Sequence, residues 1–313
     1  MKREKSMVFI DRLIDRIIVT KNHCIVGIDP HENIIPKYIW DECYNSSMSK
    51  AENMGNLIYQ MGKEIIDSIY DIVPGIKPQI AFFEQYGSFG IKAFENVCCY
   101  AKAKGLIVIA DVKRGDIGST ARAYSDYYLG CEDTSLSVDS ITVNPYLGRD
   151  SIEPFVNNCI DNNKGLFILV KTSNKSSSDI QDRLCNGKRI YEIVSDLIIG
   201  LEEKSMGNKG YSSIGAVVGG TYKEEGEHIR KQMKRTYFLV PGFGAQGAKA
   251  SDLVGFFNDD GLGAIINSSR GIIGAYKLEE YKDKPFAIAA RDAAINMRDE
   301  INKKLYEAGK VAW

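Results

Sequence analysis

The sequence has little from which to build a disulfide framework or a metal centre. Its seven cysteines (Cys24, Cys43, Cys98, Cys99, Cys131, Cys159 and Cys185) are odd in number and contain no C-x-x-C spacing. They do not cluster with the three histidines, His23, His31 and His228. Free thiols in a reducing compartment, and therefore a cytoplasmic protein, are the expectation. No apolar run is long enough to span a bilayer. The opening Met-Lys-Arg-Glu-Lys is not followed by the uninterrupted apolar segment of a signal peptide. A net charge of -1 over 313 residues supplies no bulk attraction to nucleic acid or an anionic membrane. There is no domain-length internal duplication.

What is present is an ordinary globular composition, 44% hydrophobic and 26% charged. Eight short apolar runs recur, at 24–28, 75–83, 106–110, 140–143, 166–170, 214–218, 237–240 and 264–266. They are β-branched or continuously apolar, as parallel strands covered on both faces should be. Helical patterns lie between most of them, at 61–72, 91–103, 190–201 and 222–233. Ahead of the first run, Phe9, Leu13, Ile14, Ile17 and Ile18 recur at helical spacing and predict a docking helix. Alternation of strand and helix repeated to eight predicts an α/β protein, a single (β/α)8 TIM barrel spanning 1–313. A doubly wound sheet is the runner-up, but it more often has fewer strands and a clear switch point. The polar stretch 40–56 reads as an insertion, and 174–182, rich in Ser, Lys and Asp, as a mobile flap.

Each run ends in a polar or glycine-rich segment, and a barrel gathers those ends on one rim. The third run leads into Asp111-Val112-Lys113-Arg114-Gly115-Asp116. Asp111 and Lys113, two apart, are expected on the same side of an extended strand. Alone, the cluster reads as a surface ion-pair network. The other ends change that: Asp29 after the first run, Lys77 and Gln79 in the second, Asn144 after the fourth, Lys171-Thr172-Ser173-Asn174 after the fifth, and Gly219-Gly220-Thr221 after the sixth. Lys77 and Lys113 would set two ammonium groups among Asp29, Asp111 and Asp116, a fixed field in place before any substrate arrives. The last two ends resemble a phosphate site: glycines around Gln246, then Ser269-Arg270-Gly271, with Arg270 able to fork onto phosphate oxygens. Gly242-Phe243-Gly244-Ala245-Gln246-Gly247 also fits G-x-G-x-x-G, but it follows the seventh run rather than the first, which rules out the dinucleotide reading.

Asp111-x-Lys113-x-x-Asp116 with Ile117 and Thr120, together with Lys77-Pro78-Gln79, Lys171-Thr172-Ser173-Asn174, Pro241-Gly242-Phe243-Gly244-Ala245-Gln246 and Ser269-Arg270-Gly271, resembles the orotidine 5′-phosphate decarboxylase family. The likeness is to its longer branch, found in some bacteria and protozoan parasites, and it runs from about residue 9 to residue 275. Gln79, where many shorter members carry asparagine, suits that branch. The resemblance implies loss of CO2 from orotidine 5′-monophosphate to give UMP, the last step of de novo pyrimidine synthesis, without cofactor or metal. It implies Asp111 against the substrate carboxylate, Lys113 protonating C6, and Lys77 supporting the array and the ribose. Asp29 would bind a ribose hydroxyl, Thr172 and Ser173 the pyrimidine, and Gln246 and Arg270 the phosphate; Gln79, Asn144 and Gly220 are further candidate contacts. Asp116 and Thr120, with Ile117 between them, would reach the site of a neighbouring subunit in a homodimer. Two rivals remain. A metal-dependent sugar-phosphate enzyme shares D-x-K-x-x-D but needs an acid where Lys77 stands. A non-catalytic nucleotide-phosphate binder has no need of the charged array.

Overall fold

The structure, a computed structural model, describes residues 7–133, 135–244 and 247–313. Eight parallel strands close into a barrel: β1 (Cys24–Ile28), β2 (Gly75–Pro78), β3 (Ile107–Arg114), β4 (Ser140–Val143), β5 (Gly165–Lys171), β6 (Ser212–Val218), β7 (Thr236–Pro241) and β8 (Ala264–Ser268). Each pairs with the next, and β8 returns to β1 through Cys24–Ile266. The helices are α1 (Phe9–Thr20), α2 (Lys37–Cys43), α3 (Lys50–Ile69), α4 (Ala81–Glu84), α5 (Gly87–Ala103), α6 (Gly118–Leu129), α7 (Arg149–Asp161), α8 (Ile190–Ile199), α9 (Lys223–Gln232), α10 (Ala250–Leu253), α11 (Arg270–Ile273) and α12 (Phe286–Glu307). This is the (β/α)8 barrel that the alternation predicts.

Strand residues alternate between two apolar compartments. Val26, Ile76, Val108, Ile141, Ile168, Ala216, Phe238 and Ile266 face the surrounding helices. Ile25, Ile109, Phe167, Val217, Tyr237, Leu239 and Ile265 face the barrel interior. The interior is completed by α1, whose Phe9, Ile10, Leu13, Ile14 and Ile17 are buried in the same cluster. Phe9 meets Phe167 edge to face at 6.2 Å, and the Ile10 amide donates to Ser213 Oγ at 3.3 Å. Those contacts lie in the N-terminal halves of β5 and β6, so the predicted docking helix plugs the N-terminal mouth and leaves the opposite rim free.

Three departures from the sequence reading have local causes. The second run stops being strand at Pro78; the Gln79 amide donates to Ile28 O and the Ile80 amide to Asp111 O, and residues 81–84 turn into α4. There Phe83 leaves the sheet and packs edge-on against Phe94 at 5.3 Å. Most of the expected insertion at 40–56 is helix, the end of α2 and the start of α3: Ser49 caps α3, its Oγ accepting from the Glu52 amide at 3.2 Å. The third departure is α12, which amphipathic periodicity does not announce because its inner face is largely alanine (Ala289, Ala290, Ala293, Ala294). It is fixed to the end of α3 by Arg291, which donates to Ser68 O at 2.7 Å and pairs with Asp71 at 2.6 Å.

Gly165 sets how closely α1 can seat, since a Cβ there would lie 2.1 Å from Phe9 Cδ1. Gly165→Ala is expected to lower stability by about 1–3 kcal/mol, the usual cost of overpacking. Urea unfolding of Gly165→Ala alone and with Phe9→Leu checks this: the double variant should regain most of the loss, and no recovery would place the strain elsewhere.

Candidate active site

At the rim the interior of the barrel divides into two walls. β1 to β4 carry Asp29, Lys77, Gln79, Asp111, Lys113 and Thr142; β5 to β7 carry Leu169, Val217 and Leu239. Between them lies a cavity of about 440 Å³, with Arg270 at its edge. One side is charged and the other apolar, a shape that suits a flat ring bearing one ionised edge.

Asp111 is the centre of the charged wall. Its Oδ2 accepts from Lys77 Nζ at 2.6 Å and Gln79 Nε2 at 2.9 Å. Its Oδ1 accepts from Lys113 Nζ at 2.6 Å and Thr142 Oγ1 at 2.9 Å. The side chains of Lys77 and Asp111 are 6% and 8% exposed, whereas that of Lys113 is 46% exposed. Burial works to raise the Asp111 pKa, but the two ammonium groups outweigh it and hold the carboxyl well below the usual carboxylate range. For Lys77 burial works downward, and the charges of Asp111 and Asp29 reverse it, raising the pKa above the ordinary lysine value. Asp111 is therefore carboxylate and Lys77 ammonium throughout the neutral range.

Lys113 does not reach Asp111 by simple strand alternation. The β3–β4 register slips between Ala110 and Arg114, and Lys113 takes a left-handed backbone with φ 44°. Thr142 holds that bulge. Its hydroxyl accepts from the amides of Val112 at 3.1 Å and Lys113 at 2.9 Å while donating to Asp111. Strained backbone persists where its surroundings over-determine it, commonly at functional sites. Thr142 was not singled out from the sequence. The available signal was a second hydroxyl, two residues after Ser140 and at the same parity, in the short strand Ser140–Val143.

Of the other residues singled out from sequence, Asp29, Gln79, Thr172, Ser173 and Arg270 line this cavity with the array. Arg270 opens the short helix α11 and is exposed, and its guanidinium has no hydrogen bond or ion pair among the described residues. Both polar groups of Thr172 are engaged from behind: its amide donates to Gln181 Oε1 at 2.9 Å, and its hydroxyl accepts from Gln181 Nε2 at 2.7 Å and donates to Asn174 Oδ1 at 2.6 Å. Asp116, Ile117, Thr120, Asn144 and Gly220 do not line the cavity. Asp116 Oδ1 accepts from the Ile117 amide at 2.8 Å, and Ile117 (56% exposed) and Thr120 lie on the outer surface at the start of α6. Asn144 folds on itself, its Oδ1 accepting from the Tyr146 amide. Gly220 is a packing residue; a Cβ there would be 2.9 Å from Leu253 Cδ2. Gln246 lies outside the described residues.

Three oxygens on the β1–β8 side of the cavity, Asp29 Oδ1, Asn267 Oδ1 and Ser269 Oγ, are buried and have no hydrogen-bond partner among the described residues. Buried polar atoms normally have partners, so this edge is built for a ligand or ordered water carrying hydroxyl or amide donors. Asn267 is a second residue missed from sequence; it follows Ile265 at the same inward parity. Among the described residues no group of three or more His, Cys, Asp or Glu is placed to hold a metal ion.

A strand-end array of this kind on a (β/α)8 barrel suits a carboxy-lyase, and comparison with known proteins gives the family. Residues 24–283 match the model of the orotidine 5′-phosphate decarboxylase / HUMPS family. The chain belongs to that family. It is 41% identical to an orotidine 5′-phosphate decarboxylase of Caldicellulosiruptor saccharolyticus, over 94% of this chain and 98% of the relative. It is 43% identical to the enzyme of that name from Clostridium acetobutylicum, over 95% and 99%. Among solved structures, Leishmania donovani OMP decarboxylase superposes with a TM-score of 0.75 at 28% identity, covering 96% of this chain and all of that one (100%).

The pKa directions yield a signed expectation. The depressed Asp111 pKa contributes stability that is fully present above its unfolded value near 4 and is lost as pH falls below that value toward the lowered folded one. The raised Lys77 pKa contributes stability present below the ordinary 10.5 and lost above it. Lys77→Met is expected to cost roughly 3 kcal/mol at pH 7, as removal of one partner of a buried pair does. The difference from wild type, followed by urea unfolding across pH, should shrink at both extremes; a flat difference would show that the pair does not act through charge.

Proposed function

We propose that the chain decarboxylates orotidine 5′-monophosphate to UMP and CO2 in pyrimidine biosynthesis, with Lys113 as the proton donor and no metal. The observation that carries this is the division of labour around Asp111: one ammonium, Lys77, is buried with it, and the other, Lys113, is half exposed to the cavity. When the bond from C6 to the carboxylate breaks, its electron pair stays on C6, in a ring with no adjacent electron sink. A fixed ammonium at that carbon stabilises the developing charge, then transfers a proton to it and is reprotonated from solvent. Asp111, ionised and held by four donors, sits against the substrate carboxylate and favours its departure as neutral CO2. The apolar wall receives the ring face, the orphaned oxygens of Asp29 and Asn267 meet ribose hydroxyls, and Arg270, together with Gln246, takes the phosphate. Phosphate binding, remote from the bond that breaks, supplies energy for ordering the site.

The metal-dependent sugar-phosphate reading, which the family's range includes, is disfavoured by Lys77: an ammonium stands where that chemistry needs an acidic ligand, paired to the very carboxylate a metal would require. A non-catalytic binder is disfavoured by the strain stored at Lys113, which phosphate binding does not need. The reading includes a cytoplasmic location, supported by seven free cysteines.

It also includes a homodimer that shares residues. Asp116 and Thr120 do not line their own cavity, and the exposed Ile117, Tyr146 and Leu147 supply apolar surface of the kind that docks a second copy.

Purified protein should lower the ultraviolet absorbance of orotidine 5′-monophosphate in the presence of a chelator; loss of activity in chelator with rescue by Mg²⁺ would restore the metal reading. Lys113→Ala should abolish turnover while UMP binding, measured by calorimetry, largely survives. Turnover within about tenfold of wild type would remove Lys113 as the proton donor. Mixing Lys113→Ala with Asp116→Ala subunits should regenerate activity, because one hybrid site is intact. Heterodimers without recovered turnover would refute the sharing.

A further inference from the structure

Lys171 is a fully buried lysine (0% exposed) at the end of β5, and nothing in the chemistry above uses it. Regular alternation after Phe167 and Leu169 would turn it into the cavity. The β5–β6 register slips instead, with Leu169 opposite Val217 and Lys171 opposite Val218, so the extra residue rotates the ammonium out of the barrel. It lands beneath the loop 174–182. There it pairs with Asp182 Oδ1 at 2.5 Å and lies 4.6 Å from the ring centre of Tyr222 and 5.7 Å from that of Tyr191. An ammonium removed from water is costly unless paired, so the loop cannot lift its Asp182 end without stranding the charge.

That end of the loop is also what holds the cavity wall. Gln181, next to Asp182, clasps Thr172 through both its amide and its hydroxyl. Tyr222, whose ring covers Lys171, donates its hydroxyl proton to Asn174 O at 3.1 Å. Residues 175–179 form a single 3-10 turn between these anchors. The segment expected from its composition to be a flap is thus tied back at both ends around one buried charge.

We propose that the Lys171–Asp182 pair is the positioning device for the base-binding edge of the cavity: it fixes Gln181, and through it the conformation in which Ser173 and Asn174 present their polar groups to the edge of a pyrimidine. The pair touches no reacting atom, so its contribution is to recognition and not to the chemical step. The inference rests on the pyrimidine nucleotide reading given above.

Asp182→Asn keeps the shape and removes the charge. Amide hydrogen exchange of 172–182 in the free protein should rise about tenfold or more while β1 to β4 keep their protection. KM for orotidine 5′-monophosphate should rise about tenfold with kcat within about threefold of wild type. If Asp182→Asn does not fold, Gln181→Ala, which cuts the clasp and leaves the ion pair, is expected to give the same split. Unchanged exchange in 172–182 overturns the proposal, as does raised exchange with unaltered KM, or a fall in kcat at constant KM. The exchange measurement needs no substrate. A wild-type protein inert toward orotidine 5′-monophosphate would therefore sink the functional reading, and the exchange result would still decide whether the pair holds the loop.

Discussion

The site depends on one carboxylate. Asp111 takes a hydrogen bond from each of four side chains, Lys77 on β2, Gln79 just past its end, Lys113 on β3 and Thr142 on β4, and both of its oxygens are saturated. Charge buried this deeply survives only because every lone pair is met and two of the donors are cations. The same bonds fix Lys77 against the barrel and aim Lys113 at the cavity. The rest of the architecture serves that arrangement. α1 fills the opposite mouth with apolar side chains, so the polar layer sits on a solid floor rather than over a water-filled channel. Low dielectric below the array strengthens every charge interaction within it.

Two register slips, one on β3 and one on β5, sort the lysines at the strand ends. On β3 the slip, with a left-handed residue, folds Lys113 back so that its ammonium meets Asp111 and still reaches open space. On β5 the slip does the opposite and sends Lys171 out of the interior to its own carboxylate. A third ammonium in the cavity would have competed for Asp111 and repelled the two already there. Bulges near active sites commonly re-aim side chains, and here the same device is used once to include a charge and once to exclude one.

How much of this is legible in the sequence follows from range. The barrel is readable because eight apolar runs alternate with helical patterns, a signal repeated along the whole chain. The array is readable because Asp111 and Lys113 are close in sequence and Lys77 interrupts an apolar run. Thr142 and Asn267 escape because each is one polar residue at an inward position, and its meaning depends on a neighbouring strand: a bulge on β3 for Thr142, a glycine on β1 for Asn267, where a Cβ at Gly27 would lie 3.2 Å from its Oδ1. α12 escapes for a different reason. Its stripe is alanine, which packs closely but contributes weakly to any apolar periodicity. Asn144 and Gly220 show the limit of strand-end position as a signal: neither lines the cavity, one closing a local turn and the other making room for Leu253. A position at a strand end is a necessary condition for reaching the cavity and not a sufficient one.

The near-neutral net charge of -1 hides a local asymmetry that the cavity uses. Its wall carries Lys77, Lys113 and Arg270 against Asp29 and Asp111. Lys77 and Lys113 are each already bonded to Asp111, whereas Arg270 faces solvent without a partner among the described residues. A ligand with an anionic group at each end therefore meets two different environments. At Arg270 it finds an uncompensated cation that can hold a phosphate. At the array it finds a carboxylate whose neutralisation is already complete, so a second carboxylate gains little there and gains more by leaving as a neutral molecule. Attraction at one end and none at the other is the condition under which remote binding energy is available to the bond that breaks.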